Sequence, residues 1–187
     1  MLYLTSDLHL YHDREFIYRP RGFESVDDMS NSLIDNINED VSEEDTLYIL
    51  GDLMLNKSRQ EEAVRLLRSI KCKDIHIITG NHDTDERIKV YKQLPNVKEV
   101  TEAKRIKYGK YHFFLCHYPT MTGNLEKETL SQILINLYGH THQKTNFYNE
   151  IPFMYHVGID SHNNKPVDID TVLRDIKYKA LECKALL

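Results

Sequence analysis

The hydrophobic residues of this chain cluster in short continuous runs, and stretches with helical periodicity lie between those runs. Runs of this length that are rich in β-branched and aromatic residues predict strands buried on both faces. They occupy residues 2–6, 45–50, 74–79, 111–116 and 134–138. Two weaker runs, near 97–107 and 153–159, predict additional strands.

Between the strands, apolar residues recur at the spacing that places them on one face of a helix. Helices are predicted at 26–41, 63–70, 83–93, about 125–133 and from 170 onward. Ser25 with Asp28, and Ser58 with Glu61, resemble capping boxes ahead of the first two helices. Because strands and helices alternate before a strand-rich segment, we expect a layered α/β fold with helices covering the sheet faces. No repeat or linker divides the sequence, which predicts a single domain over residues 1–187.

Composition and charge narrow the classes of function. The 187 residues are 41% hydrophobic and 28% charged, as in soluble globular proteins. The net charge of −5 argues against an extended nucleic-acid surface, but it allows a small phosphorylated substrate beside a bound metal ion. The sequence contains neither a run of 18 apolar residues nor the features of a signal peptide. Its three scattered cysteines favour a reducing compartment, so we expect a cytoplasmic protein.

Each of the five strong strands is followed by a short turn that carries Asp, His or Asn. The candidate ligands in these turns are Asp7, His9, Asp52, Asn81, His117, His140 and His142. Because strand ends converge in α/β folds, we expect one cluster of these side chains. Mixed carboxylate and imidazole donors without cysteine suit Mn, Fe or Zn. Seven donors exceed the needs of one ion, so we expect two ions and take Asp52, alone on its strand end, as the bridge.

The ordered series Asp-x-His, Gly-Asp, Gly-Asn-His-Asp, His and Gly-His-x-His resembles the calcineurin-like metallophosphoesterase superfamily. These motifs span residues 7 to 142, and the opening residues 6–12 followed by Arg19-Pro20 look like the small single-domain bacterial and phage-type members. The resemblance implies two mainly parallel or mixed β-sheets, layered as a sandwich and flanked by α-helices. It also implies two ligand sets that share one residue: Asp7, His9, Asp52 and His142 for the first metal, and Asp52, Asn81, His117 and His140 for the second.

The same resemblance implies that His82 is not a ligand but faces the substrate. A histidine titrates near physiological pH, so His82 is suited to give a proton to the leaving oxygen. Residues 53–56 carry no acid that could orient His82, and Asp83 follows it directly, so its orienting partner is left open. His12 and Arg19, in the loop after the first motif, are the candidates for contacts with the substrate. We treat Arg21 and the other arginines of this region as solvated surface charges.

The family resemblance implies metal-dependent hydrolysis of phosphate esters. A phosphodiesterase acting on small nucleotide-like or cyclic diesters is the first interpretation, and a phosphomonoesterase, including a protein phosphatase, is the second. A sequence-independent nuclease comes third because of the net charge of −5. A non-catalytic interaction scaffold on the same fold is the alternative from another class. Two Mn²⁺ ions are the expected cofactors, with Fe, Zn, Ni and Mg as alternatives, and the sequence implies no membrane or protein partner.

Overall fold

A computed structural model describes residues 1–123 and 129–183 of the chain. Its strands are β1 (Leu2–Thr5), β2 (Thr46–Leu50), β3 (Asp74–Ile78), β4 (Val97–Thr101), β5 (Ala103–Tyr108), β6 (Tyr111–Cys116), β7 (Leu134–Tyr138), β8 (Met154–His156) and β9 (Val167–Asp168). Its α-helices are α1 (Glu15–Tyr18), α2 (Val26–Asp40), α3 (Gln60–Arg68), α4 (Asp85–Tyr91) and α5 (Ile169–Glu182). Single 3₁₀ turns span Arg19–Arg21, Lys57–Arg59, Tyr148–Glu150 and Ile159–Ser161.

The strands form two mixed sheets. The first has the order β4-β3-β2-β1-β9, in which β1 to β4 pair in parallel and β9 runs antiparallel to β1. The second has the order β5-β6-β7-β8, in which β5 and β6 form an antiparallel hairpin and β6, β7 and β8 are parallel. The prediction of two mixed sheets flanked by helices is therefore confirmed.

Alternate residues of the first sheet belong to two different hydrophobic cores. On β2, Leu47 and Ile49 pack with residues of α2 and α3, whereas Tyr48 and Leu50 pack with the second sheet and α5. Successive side chains of a strand point to opposite faces, so a sheet covered on both sides needs apolar residues at consecutive positions. The continuous apolar runs in the sequence record this double burial, and the arrangement leaves the strand ends as the place for polar chemistry.

The elements differ from the predicted ones in four places. The weak run at 97–107 forms two strands, β4 and β5. The short elements α1 and β9 carry no periodic pattern long enough to predict them. The helix predicted at about 125–133 lies partly outside the described residues, and residues 129–133 have no helix.

The cap predicted at Ser25 is confirmed, because the Ser25 hydroxyl accepts a hydrogen bond from the Asp28 amide.

The cap predicted at Ser58 is wrong. The amide of Ser58 donates to Oδ1 of Asn56, which caps the 3₁₀ turn Lys57–Arg59, and α3 follows that turn directly without a side-chain cap. An asparagine two residues earlier thus takes the role, because its short side chain reaches the free amide of Ser58 in this turn.

Within residues 1–123 and 129–183, every helix is too short or too polar to span a bilayer.

Candidate metal centre

Five of the seven candidate ligands have left-handed backbone conformations. Their φ angles are 59° at Asp7, 49° at His9, 55° at Asp52, 68° at His140 and 49° at His142. This region costs an L-amino acid other than glycine roughly 1–2 kcal/mol, and such strain concentrates at functional sites. The sharp turns aim these side chains inward at the carboxyl ends of β1, β2 and β7.

Hydrogen bonds and close backbone approach hold the turns together. The amide of Asp7 donates to the carbonyl of Gly51 at 3.1 Å, and the amide of His9 donates to the carbonyl of Asp52 at 3.0 Å. A Cβ atom at Gly80 would lie 2.2 Å from Oδ1 of Asp52. That distance is far inside van der Waals contact, so glycine at position 80 is what lets the neighbouring turn reach the Asp52 carboxylate.

The first donor set consists of Asp7, His9 and His142, which lie beside Asp52. Nε2 of His9 lies 3.6 Å from Oδ2 of Asp52 and 4.0 Å from Oδ1 of Asp7. Nε2 of His142 lies 3.8 Å from the same Asp7 oxygen. Nε2 of His9 is buried, and within the described part of the chain it has no hydrogen-bond partner. A buried nitrogen without a partner between two carboxylates fits a bound cation.

The second donor set consists of Asn81, His117 and His140. Oδ1 of Asn81 lies 3.0 Å from Nε2 of His117 and 2.8 Å from Nδ1 of His140. Nε2 of His117 also lies 3.5 Å from Oδ2 of Asp52. The Asp52 oxygen nearest to His9 of the first set is therefore also the one nearest to His117, so a single carboxylate oxygen lies between the two sets.

Two of the imidazoles are fixed in the tautomer that a metal ligand requires. Nδ1 of His117 lies 2.7 Å from the carbonyl oxygen of Leu50, which can only accept, so Nδ1 carries the proton. Nδ1 of His142 lies 2.9 Å from Oδ2 of Asp160, with the same consequence. Both Nε2 atoms then present lone pairs to the cluster, as in carboxylate–histidine–metal and carbonyl–histidine–metal arrangements. The donor set, all oxygen and nitrogen, fits divalent transition-metal ions.

The charges of the cluster follow from burial and from contacts within it. Burial raises the pKa of Asp52, but contacts with His117 and with the backbone amide of His82 outweigh burial and hold it at about 2. Burial raises the pKa of Asp7. Burial also lowers the pKa of His9 well below its usual value, so this imidazole is neutral at physiological pH and can offer a lone pair to a metal ion.

A buried ion pair behind His142 was not found by the sequence analysis. The guanidinium of Arg21 contacts the Asp160 carboxylate through Nε at 3.0 Å and Nη2 at 2.9 Å, and Nη2 also donates to the Asp7 carbonyl at 2.9 Å. Arg21 is only 6% exposed, so its treatment as a solvated surface charge is wrong. Burial raises the pKa of Asp160, but hydrogen bonds from His142 and Arg21 hold it well below its usual range.

The signal for Asp160 was present in the sequence. Asp160 follows β8 after a short turn that contains Gly158, much as Asp52 follows β2 after Gly51. Because the run at 153–159 predicts only a weak strand, the polar residue after its end does not stand out as those after the five strong strands do. Arg21 gives no such signal, because its burial depends on contacts with residues more than a hundred positions away.

His82 lies at the mouth of the cluster, and Asp83 points elsewhere. The Asp83 carboxylate accepts hydrogen bonds from the amides of Asp52 and Gly80 and from the Tyr91 hydroxyl, at 2.9, 2.8 and 2.8 Å. Asp83 therefore braces the turn instead of orienting His82. The amide of His82 donates to Oδ1 of Asp52 at 2.9 Å, and its ring Nε2 lies 3.9 Å from Oδ2 of that residue. The side chain is 43% exposed, so it can reach a bound molecule.

The two candidate substrate residues have different surroundings. Nδ1 of His12 lies 3.1 Å from Nδ1 of His9, and the two rings stack with centroids 5.2 Å apart. Burial lowers the pKa of His12 to about 4. Arg19 instead pairs with Glu24 on the exposed surface, and the contacts of the donor cluster do not include it. The structure thus brings His12 to the site and leaves Arg19 apart from it.

Comparisons with known proteins agree with this geometry. Residues 1–158 match the family model described as the calcineurin-like phosphoesterase superfamily domain. An uncharacterized protein of Methanocaldococcus jannaschii is 31% identical over 186 residues, covering 94% of this chain and 91% of that protein. The gene 66 protein of Mycobacterium phage D29 is 26% identical and covers 94% of this chain and 97% of its own length.

Two solved structures share the fold. A protein of unknown function from Aquifex aeolicus superposes with a TM-score of 0.68 at 21% identity, covering 93% of this chain and 98% of that one. The phosphoesterase Yfce from E. coli superposes with a TM-score of 0.50 at 16% identity, covering 84% of this chain and 77% of its own. At these identities, the likeness shows the architecture alone.

Proposed function

This chain belongs to the calcineurin-like phosphoesterase superfamily, and we propose that it hydrolyses small nucleotide-like phosphodiesters with two divalent metal ions. One observation carries the proposal: two groups of oxygen and nitrogen donors meet at the same oxygen of Asp52. The fixed tautomers of His117 and His142 support it, because both direct a lone pair into the cluster, and Nε2 of His9 is buried there without a hydrogen-bond partner among the described residues.

In this proposal, the seven ligands form two sets that share Asp52, and the turn after β7 contributes His142 to one set and His140 to the other. One ion would be held by Asp7, His9, Asp52 and His142, and the other by Asp52, Asn81, His117 and His140. When bound, two such ions would make a water molecule more acidic, and so a better nucleophile, and would place positive charge beside the phosphoryl oxygens. Asn81 contributes an oxygen without a negative charge, so the second set repels a phosphate less than a further carboxylate would. Because all donors are oxygen or nitrogen, we propose Mn²⁺ as the favoured ion.

His82 is the proposed proton donor. Hydrolysis adds water across a P–O bond: the water oxygen joins the phosphorus atom, and the departing oxygen receives a proton. The His82 ring stands at the solvent-facing side of Asp52, and its own amide is anchored on that carboxylate. The imidazole can therefore meet a leaving oxygen on the open side of the cluster without serving as a ligand.

The openness of the mouth favours diesters over monoesters. Asn81 and His140 are exposed, and His82 is 43% exposed, so a phosphorus atom carrying two substituents can approach. A phosphomonoesterase, including a protein phosphatase, uses the same donors and is the second candidate. An interaction scaffold needs neither the donors nor His82, and their joint presence is the reason to prefer a hydrolase.

The test is a comparison of matched esters on protein stripped with a chelator and reloaded with Mn²⁺, Ni²⁺, Zn²⁺ or Mg²⁺. We expect no turnover in chelator, recovery with Mn²⁺, and a higher kcat/KM for bis(p-nitrophenyl) phosphate than for p-nitrophenyl phosphate. A His112→Ala variant is the control, since His112 lies near the start of β6 whereas His117 follows its end. A preference for the monoester would select the second candidate, and inactivity with all metals and both esters would select the scaffold.

A further inference from the structure

Two exposed aromatic side chains border the donor cluster. Phe16 is 71% exposed and Tyr118 is 44% exposed, although both are large enough to gain from burial. The rings of Phe16 and His12 meet edge to face, and their centroids are 6.1 Å apart. Tyr118 contacts His140 and His117 in the same manner, at 4.9 and 5.2 Å. Both aromatic rings thus leave surface free for a bound molecule directly beside the imidazoles of the site.

The two aromatic rings belong to different ends of the cluster. Phe16 contacts His12, which stacks on His9 of the first donor set. Tyr118 contacts His117 and His140, which belong to the second donor set. The phosphorus atom of a substrate would lie over Asp52, which is common to both sets, and its two ester groups would extend toward the two rings.

We propose that Phe16 and Tyr118 are stacking walls for the two planar groups of a linear phosphodiester, such as the two nucleosides of a dinucleotide. The inference rests on the proposed phosphodiesterase function and specifies its substrate class. Stacking on an aromatic side chain suits any nucleobase, because every base has a π face. A cyclic diester of one nucleoside, or a monoester, offers only one planar group and can use only one of the walls.

The position of His82 assigns a different task to each wall. The His82 ring meets the His9 ring edge to face, with centroids 5.7 Å apart. The His9 ring also stacks on His12, and His12 contacts Phe16. The proton donor is therefore on the Phe16 side of the cluster. The group that departs stacks on Phe16, and the group that stays on the phosphate stacks on Tyr118.

This assignment is tested on the full chain loaded with Mn²⁺, with two diesters that share one leaving group. Bis(p-nitrophenyl) phosphate retains an aryl group after cleavage, whereas methyl p-nitrophenyl phosphate retains a methyl group. Phe16→Ala should lower kcat/KM about fivefold or more on both esters, and Tyr118→Ala should do so only on the first. Tyr178→Ala is the control and should behave as the wild type; Tyr178 is a tyrosine of α5 that is 65% exposed. Equal losses on both esters for Tyr118→Ala, or no loss, would overturn the assignment.

Binding provides a second measurement that does not depend on turnover. A dinucleotide with an uncleavable methylphosphonate linkage should bind the wild type at least about fivefold more tightly than either alanine variant, and inorganic phosphate should bind all three equally. If the wild type cleaves both diesters while the variants bind the dinucleotide as it does, the walls are wrong and the proposed function stands. If the wild type cleaves neither ester while the dinucleotide discriminates among the variants, the proposed function is wrong and the walls stand.

Discussion

The two donor sets around Asp52 are supported in different ways. In the first set, a buried ion pair fixes the His142 ring: Asp160 accepts from its Nδ1, and Arg21 holds Asp160. In the second set, the Leu50 carbonyl fixes the buried His117 ring, but Asn81 and His140 are exposed. Among the described residues, the His140 side chain contacts only Asn81 and the edges of the Tyr118 and His117 rings, so two of the three donors of this set have no buried partner outside the set. A metal-ligating side chain that neighbouring residues already hold in place loses little conformational freedom when it binds an ion. We therefore expect the first set to bind its ion more tightly than the second.

The largest effect should come from the residue common to both sets. Asp52→Asn removes the negative charge that lies between them, so we expect the content of both ions to fall together. The loss of activity should exceed the about 10–100-fold that changes outside the ligand shell typically cause. Elemental analysis of loaded protein measures this, with His142→Ala as the comparison, which should lose mainly one ion. If Asp52→Asn retains two ions per chain, Asp52 does not bridge the sets.

The next largest effect should come from a residue of neither set. His82→Ala should keep both ions and the fold but lower turnover by roughly 10²–10⁴-fold, the usual range for general acid catalysis. The loss should shrink for nitrophenyl esters, because their leaving oxygen needs less help from a proton. Rates measured over a series of leaving groups should thus depend more steeply on leaving-group pKa than in the wild type. Loss of metal in this variant would make His82 a ligand, and full activity on a poor leaving group would shift attention to His12.

Replacement of Asp160, which supports a ligand without being one, should change the affinity for one ion and not for the other. Asp160→Asn should weaken one ion by about 10–100-fold, since partners of ligating histidines have effects of this size. Asp27→Asn is the matched control, because Asp27 also pairs with an arginine, Arg59, but on the surface. Titration with a chelator measures both. Should Asp160→Asn weaken the two ions equally, the contrast between the sets would be wrong.

The smallest effect should come from loss of a helix cap, which should leave the metal content of both donor sets unchanged. The Ser25 hydroxyl caps α2 far along the chain from every donor, and loss of such a cap typically costs about 1 kcal/mol. Ser25→Ala should therefore lower the free energy of unfolding by that amount, measured by denaturant titration, with both ions retained. A loss of either ion in this variant would mean that general stability, and not local support, controls the metal content.

The sequence predicted the strand ends better than what surrounds them. The doubly buried strands were recognisable because each side of the first sheet is covered, and the turns after them carry Asp7, Asp52 and His117. The pair of Arg21 and Asp160 could not be recognised in that way, since 139 positions separate the two residues. Local patterns report which residues share an element, whereas an ion pair between distant segments depends on the packing of the whole fold.

The same limit applies to His82. The sequence offered Asp83 as a neighbour that could orient it, but the Asp83 carboxylate is turned toward the amide of Gly80 and the hydroxyl of Tyr91. Within one short turn, adjacent side chains diverge, and only the backbone angles decide which of them faces the cluster. The loop after the first motif predicts Arg19 as the arginine for substrate contacts, yet the structure buries Arg21 and exposes Arg19.

The pairing of β1 has a consequence for the order of events during folding. This strand, which leads directly into Asp7, pairs with β2 and, at Tyr3 and Leu4, with Asp168 and Val167 of β9 near the other end of the chain. Contacts between such distant segments form slowly, because a long loop must close before they yield any stabilisation. On the ribosome, β1 can pair along both of its edges only after β9 has been synthesised. We therefore expect the turn that carries Asp7 to reach its final rigidity only when β9 has paired with β1.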